Sequence, residues 1–297
     1  MEKLLSITPH IGGKNGVLGE EIASLLPCEK PDIYIEPYGG SFGVGIQSDY
    51  DTENTLLIHN DMDIVLHSIF KAVTQFPEET LNCVYELLEK YDYEQSTVDY
   101  FRFVCDYKAL TDINLFRDDI VLGAAAWILK MITRNSDCRY LRELHSDNEI
   151  EKIYAKFERK EATAFKLQGA LTLRMDAMEL LRRINRAGRS HPYNIFLYID
   201  APYSHSGKRT TSQDLYLVDI SKDDREIIEL AKLLEEINYN TDCKMLVSEY
   251  DNPIYNSELT AEKGWKKQKV CDVYKSMSYS AVGDCKPIES EWAWKNY

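Results

Sequence analysis

In the stretch Asn194–Tyr203, NIFLYIDAPY, an apolar run of β-branched and aromatic residues ends abruptly in Asp200-Ala201-Pro202-Tyr203. The pattern reads as a buried strand whose carboxyl end delivers an acid, a carbonyl and an aromatic ring into a loop. Those groups suit an amino-bearing planar base. The Asp200 carboxylate and the Ala201 carbonyl can each accept from an exocyclic amino group, Pro202 restricts the turn, and the Tyr203 ring can stack on a base face. The same residues would also make an ordinary proline turn after a strand, so the choice falls to the rest of the chain.

With 297 residues, 44% hydrophobic and 28% charged, the composition suits one sizeable domain with a subdomain. MEKLLSITPHIGGK has no basic-then-apolar leader, and no apolar run approaches the roughly 18 residues of a membrane span, so a cytoplasmic protein without membrane contact is expected. The seven cysteines form no C-x-x-C pair and are expected to be buried free thiols, and the six histidines show no H-x-x-x-H spacing, so no metal site is expected. A formal charge of −14 opposes nucleic-acid binding unless positive charge is gathered locally. It is concentrated in Lys152, Lys156, Arg159, Lys160, Lys166, Arg174, Arg182, Arg183, Arg186 and Arg189, with smaller groups at Lys208-Arg209 and Lys263–Lys269. A basic face on an acidic body is compatible with DNA; the competing reading is a set of solvated helix faces.

Ahead of the opening stretch, residues 9–27 give a Gly-rich turn and a short amphipathic helix that stops before Pro27. Lys14 is followed by Asn15, so this is not a P-loop; Lys14 either pairs with a carboxylate or is an exposed turn lysine. Ile33–Gly45, IYIEPYGGSFGVG, is a strand, a Gly-rich turn and the opening of a helix, a place where a ligand can approach backbone. Leu56–Asp61 is a second strand ending in an acid about twenty residues after the turn, where doubly wound α/β folds hold ribose hydroxyls; capping is the alternative role for such an Asp. From Asp63 to about Phe165 the apolar spacing is helical. The polar loop Thr133–Tyr140 carries Arg134, Asn135 and Arg139, side chains that can read purine edges and are also common in loops. A further strand before Asp176 leads into a basic helix. Ser204–Gln213 reads as a polar lid, 223–237 as an amphipathic helix, Cys243–Tyr250 as a strand, and two late strands are expected to pair at one edge of the sheet.

The order of these motifs resembles the Dam-type, alpha-group, phage-like DNA adenine-N6 methyltransferases over nearly the whole chain. His10–Lys14 resembles the family's Gly-Gly-Lys turn, Glu36–Gly45 its Gly-rich turn, Asn60-Asp61 its Asn-Asp pair, and Asp200–Tyr203 its Asp-Pro-Pro-Tyr tetrapeptide. Leu246–Leu259 and the terminal Glu291, Trp294, Asn296 and Tyr297 are also similar to the family's. The resemblance implies an α/β, Rossmann-like S-adenosylmethionine-dependent methyltransferase fold with a mostly helical inserted target-recognition subdomain. Residues 1–77 and 167–297 would form the catalytic domain and 78–166 the insertion.

It further implies that S-adenosylmethionine is bound by His10, Lys14, Glu36, Pro37, Tyr38, Gly40, Ser41, Asp61, Asp176 and Asp200. Asp200, Ala201, Pro202 and Tyr203 would hold a flipped adenine from duplex DNA, and a restriction enzyme would be a partner; Arg134, Asn135, Arg139, Lys208 and Arg209 are expected as DNA contacts from their residue types and local charge alone. Ala201 replaces the family's first proline, which leaves the functional carbonyl in place. Phe42 stands where many members have glycine, and a bulky side chain there is expected to crowd the cofactor. Two alternatives to DNA methylation are a DNA-binding relative without turnover and a methyltransferase acting on RNA or a protein amide. A nicotinamide dehydrogenase fits least, because the turn lacks the full G-x-G-x-x-G spacing.

Overall fold

The structure, a computed structural model, describes residues 4–9, 13–90, 94–111, 116–133, 138, 140–141, 147–202, 224–274 and 288–297. Seven strands form a single sheet in the order β3-β2-β1-β4-β5-β7-β6: β1 (Ile33–Glu36), β2 (Leu56–Asn60), β3 (Leu171–Leu173), β4 (Ile195–Ile199), β5 (Lys244–Tyr250), β6 (Lys266–Tyr274) and β7 (Ile288–Lys295). β1 to β5 pair in parallel, and β7 alone runs against its neighbours β5 and β6. The two late strands thus pair at one edge, as their sequence indicates. This is the Rossmann-like α/β architecture expected from the motif order.

Strand periodicity divides the core between the two faces of the sheet. Tyr34, Leu57, Phe196, Tyr198 and Leu246 point into one cluster; Ile35, Ile58, Leu197, Ile199 and Val247 point into the other. The first cluster lies under α1 (Val17–Ala23), α2 (Gly43–Gln47), α3 (Ile64–Gln75), α4 (Pro77–Glu89), α5 (Gln95–Thr111), α6 (Phe116–Ile132), α7 (Asp147–Glu158) and α8 (Glu161–Lys166). The second lies under α9 (Ala177–Ala187), α10 (Asp224–Asn240) and α11 (Pro253–Glu258). Helix starts carry the expected chemistry: Asp63, Asp176 and Asn252 cap α3, α9 and α11 through side-chain oxygens, and Pro77 opens α4.

α6 is apolar on nearly every side because it is enclosed. Gly123 lets it approach α3 so closely that a Cβ there would lie 2.3 Å from that of Ala72, and the Trp127 indole donates to the Ile7 carbonyl at 2.7 Å. The helices between α3 and β3 therefore share one continuous core with the sheet. Among the described residues no helix is long and apolar enough to cross a membrane.

Three expectations need correction. The basic stretch does not make one face: Lys152, Lys156 and Arg159 lie on the layer of α7, whereas Arg174 to Arg189 lie around α9 on the opposite side of the sheet. Two of its members face inward as caps, Lys160 donating to the Ser6 carbonyl and Lys166 to the carbonyls of Ile46 and Ser48 at the end of α2. The Phe42 ring does not project toward a ligand but is buried beneath the Gly-rich turn, so close to Gly45 that a Cβ there would lie 2.6 Å from it. The Phe42 backbone takes the left-handed conformation (φ 54°), which turns the ring into the core against Tyr34, His59 and Phe70. The cysteines are not uniformly buried: Cys138 and Cys243 are, Cys83 and Cys271 are half-buried, and Cys28 is exposed.

Gly43 is a close-approach position. A Cβ there would lie 2.0 Å from the Lys14 carbonyl oxygen, whereas one at Gly264 meets nothing within 4 Å. Gly43→Ala should therefore lower stability by about 2 kcal/mol through overpacking. Gly264→Ala, which bears only the left-handed backbone penalty, should lower it by about 1 kcal/mol. Urea midpoints at unchanged m-value measure both; equal losses would show that the approach to Lys14 is not tight.

Candidate active site

The sheet order reverses between β1 and β4. From β1 the chain proceeds outward through β2 and β3, and from β4 the opposite way to β5, which opens a crevice at the carboxyl ends of these two central strands. Glu36 is the last residue of β1 and Asp200 follows the last residue of β4. Asp61 follows β2 in the same way.

Lys14 enters this crevice from the segment ahead of α1. Its ammonium lies 2.6 Å from Asp200 Oδ1 and 3.6 Å from Glu291 Oε1, with side-chain exposures of 2%, 17% and 1% for the lysine and the two acids. The exposed-turn reading of Lys14 is thereby excluded. Its backbone is clamped as well, since α1 and α2 approach its carbonyl at Gly19 and Gly43. Glu36 is equally buried; its Oε1 accepts from the Tyr34 hydroxyl and from the Gly45 N–H, both at 2.8 Å. Behind Asp200, the hydroxyls of Tyr198 and Ser248 share a hydrogen bond of 2.7 Å.

Electrostatics follow from this geometry. Burial pushes Glu36 up to about 8, with the Tyr34 and Gly45 hydrogen bonds opposing and the neighbouring Asp200 reinforcing it. Burial likewise pushes Asp200 up to about 6 although Lys14 pulls it down. Two acids, Asp200 and Glu291, share the one ammonium of Lys14, an environment that favours a cationic ligand.

A second acceptor site lies across the Gly-rich turn. Asp61 accepts from Gly40 N–H at 2.9 Å and from Asp63 N–H at 2.7 Å, and burial pushes its carboxyl up to about 6. Asn60 staples the turn to β3: its amide donates to the carbonyls of Pro37 and Met175, and its oxygen accepts from Met175 N–H. Lys130 of α6 reaches Asp63 at 3.4 Å, tying the helical layer to this corner. The Tyr38 hydroxyl is buried without a hydrogen-bond partner among the described residues, and burial together with Asp176 raises its pKa. Asp176 itself accepts from Glu179 N–H at 2.9 Å, and Ser41 Oγ lies 3.4 Å from Asn15 Oδ1.

Of the residues singled out in the sequence, Lys14, Glu36 and Asp200 come together, and Pro37, Gly40 and Asp61 form the adjoining corner. Ala201 is buried and Pro202 half-buried beside Asp200. His10, Arg134, Asn135, Arg139, Tyr203, Lys208, Arg209 and the Ser204–Gln213 segment lie outside the described residues. Sequence reasoning missed the Tyr34 and Gly45 contacts, the Lys130 link, and the place of Glu291 behind Lys14. For Glu291 a signal existed: an acid at an inward position of the alternating run IESEWAWK.

A family model described as D12 class N6 adenine-specific DNA methyltransferase matches residues 10–280. A comparison with curated proteins found no match.

The raised acids set the pH dependence of stability. An acid whose folded pKa exceeds its unfolded one contributes stability that is complete below the unfolded value and is lost as pH rises through the folded value. Asp200 and Asp61 titrate from 3.8 to about 6 and Glu36 from 4.5 to about 8, so stability should fall from pH 5 to 7.5. Lys160 and Lys166, pushed down by burial to about 8, act with the opposite sign only above that window. Between pH 6 and 7.5 the fall should amount to on the order of 2 kcal/mol and should be removed by Glu36→Gln. Denaturant titrations across this range decide it; a stability that rises with pH, or an unchanged slope in the variant, would contradict the assignment.

Proposed function

The chain belongs to the D12 class N6 adenine-specific DNA methyltransferases, and on that premise we propose that the crevice between β1 and β4 is where adenine N6 is methylated, with S-adenosylmethionine as donor. The enzyme is a site-specific DNA adenine-N6 methyltransferase. The observation that carries this placement of its chemistry is the position of Asp200 at the sheet's switch point, ion-paired to Lys14 and followed by Ala201-Pro202.

The crevice fits the donor. A sulfonium and an α-ammonium are cations and suit the pair of acids, Asp200 and Glu291, that share one ammonium, while Asp61, anchored by Gly40 and Asp63, offers acceptor lone pairs for ribose hydroxyls. Pro37, Tyr38, Gly40 and Ser41 would line the turn beside it. The buried hydroxyl of Tyr38 and the nearby carboxylate of Asp176 suit the polar edge of the adenine ring. When bound, S-adenosylmethionine supplies a methyl carbon made electrophilic by the sulfonium.

The chain's own part is orientation. Adenine N6 is a weak nucleophile because its lone pair is delocalised into the ring. Asp200 and the Ala201 carbonyl accept its two hydrogens, favouring a pyramidal nitrogen with its lone pair directed at the methyl group; such alignment contributes several kcal/mol. As the N–C bond forms and the C–S bond breaks, N6 sheds one proton. A carboxyl pushed up to about 6 can hold that proton briefly and release it near neutral pH. The adenine has to leave the duplex at a cost of roughly a few kcal/mol, which stacking on Tyr203 offsets. The helical region 78–166 would read the target sequence. Exposed Lys152, Lys156 and Arg159, in the same layer as that region, would meet phosphates, so binding should weaken with salt. A cytoplasmic location is the reading that goes with a DNA acceptor and with helices too short or too polar to cross a membrane among the described residues.

The test is methyl transfer from radiolabelled S-adenosylmethionine to undermethylated genomic DNA, read as labelled N6-methyladenine after digestion. Asp200→Ala should lower kcat at least ~100-fold with cofactor affinity changed only a few-fold. Asp61→Ala should instead weaken cofactor binding ~10-fold or more in calorimetry. Wild-type rates in the first variant, or unaltered cofactor binding in the second, would overturn the respective role.

A further inference from the structure

We infer that Glu291 is a positioning residue for this reaction, acting through Lys14: it shares the lysine ammonium and so keeps the Asp200 carboxylate available to the adenine amino group. The inference rests on the proposed role of Asp200 as the acceptor for that amino group. The antiparallel register of β7 sets Glu291 beside Tyr250 of β5 and Cys271 of β6, at the carboxyl end of the sheet. There it is fully enclosed, with Oε1 3.6 Å from Lys14 Nζ, while the same nitrogen sits 2.6 Å from Asp200 Oδ1. Burying a carboxylate is expensive unless it is partnered, and a residue whose only task is to fill space between β5 and β6 would be apolar.

A lysine bound to Asp200 alone would draw electron density from the very oxygens that must accept from N6. A second anion on that lysine weakens the pull without removing the cation that keeps Asp200 ionised. The geometry thus divides one ammonium between two acids, of which only Asp200 borders the crevice; it is 17% exposed and Glu291 is 1% exposed.

The surrounding groups are consistent with this division. Asp200 faces Lys14 from the segment ahead of α1, Glu36 from β1, Tyr198 from its own strand, Tyr250 from β5 and Tyr255 from α11. Glu291 faces Lys14 as well, together with Tyr198 from β4, Tyr250 from β5 and Cys271 from β6. After burial and the two effects of Lys14, the charge of Glu291 is the further influence on Asp200, and it acts upward.

Glu291→Gln preserves shape and removes the charge. In kcat measured from pH 5 to 8.5 at saturating S-adenosylmethionine and undermethylated genomic DNA, the acid limb of this variant should move down by ~1 pH unit. Its plateau should fall about 10-fold, with KM for cofactor within about twofold of wild type. Lys14→Met should move the limb the other way. Carbon-13 carboxyl NMR of Asp200 in the protein without substrates gives the same midpoint independently of turnover, and should shift down in Glu291→Gln even if that variant were inactive. An unmoved limb and an unmoved midpoint would overturn the role of Glu291, including the case in which activity falls simply because packing is disturbed. Wild-type rates in Asp200→Asn would instead overturn the assignment of Asp200 on which the inference stands.

Discussion

A single buried ammonium, set among acids at the carboxyl end of the sheet, is the constraint on which the rest of this structure depends. Glu36, Asp200 and Glu291 come from β1, β4 and β7, and Lys14 comes from outside the sheet altogether. Removing one partner from a buried ion pair costs roughly 3–5 kcal/mol, far more than the pair contributes net, so the lysine has to be held in place. Gly19 and Gly43 allow two helices to grip its carbonyl. The preceding residues are strapped to the helical layer by bonds from Trp127 to Ile7, from Lys160 to Ser6, and between Thr163 and Leu5. The helical region thus helps to hold the segment that delivers Lys14 to Asp200.

The sheet was legible because each strand declared itself locally. Alternating or continuous apolar runs stopped at Glu36, Asn60, Ile199 and Tyr250, where polar or turn residues followed. Asp200 and Asp61 were legible for the same reason, since an acid at the carboxyl end of a parallel strand has few places to point. What sequence could not supply was pairing across distance. Lys14 and Asp200 are 186 positions apart, and no local pattern distinguishes a buried lysine from an exposed one. The basic run from Lys152 to Arg189 failed as a single patch because β3 passes through the sheet in its midst, delivering the two halves to opposite faces. Phe42 failed because the sequence does not reveal that a left-handed backbone, costing about 1–2 kcal/mol, turns its ring inward, where burial among Tyr34, His59 and Phe70 offsets the strain.

The corner at Asp61 shows how the same economy serves the cofactor side. One acid organises the Gly-rich turn through Gly40 and the start of α3 through Asp63, while Asp63 caps that helix and meets Lys130 of α6. A ligand that engaged Asp61 would be felt in α3 and α6, and through them in the layer proposed to meet the target sequence.

The place of β7 has a consequence for how the molecule comes into being. It is the last of the seven strands to leave the ribosome, yet it lies between β5 and β6 and carries Glu291. Until it is synthesised, β6 has no partner, β5 presents an open edge, and the lysine at position 14 lacks one of its anions. A growing chain can therefore lay down the parallel half of its sheet well before the ammonium of Lys14 meets the second of its anions, and the site takes its final charge only when the last strand slides between two earlier ones.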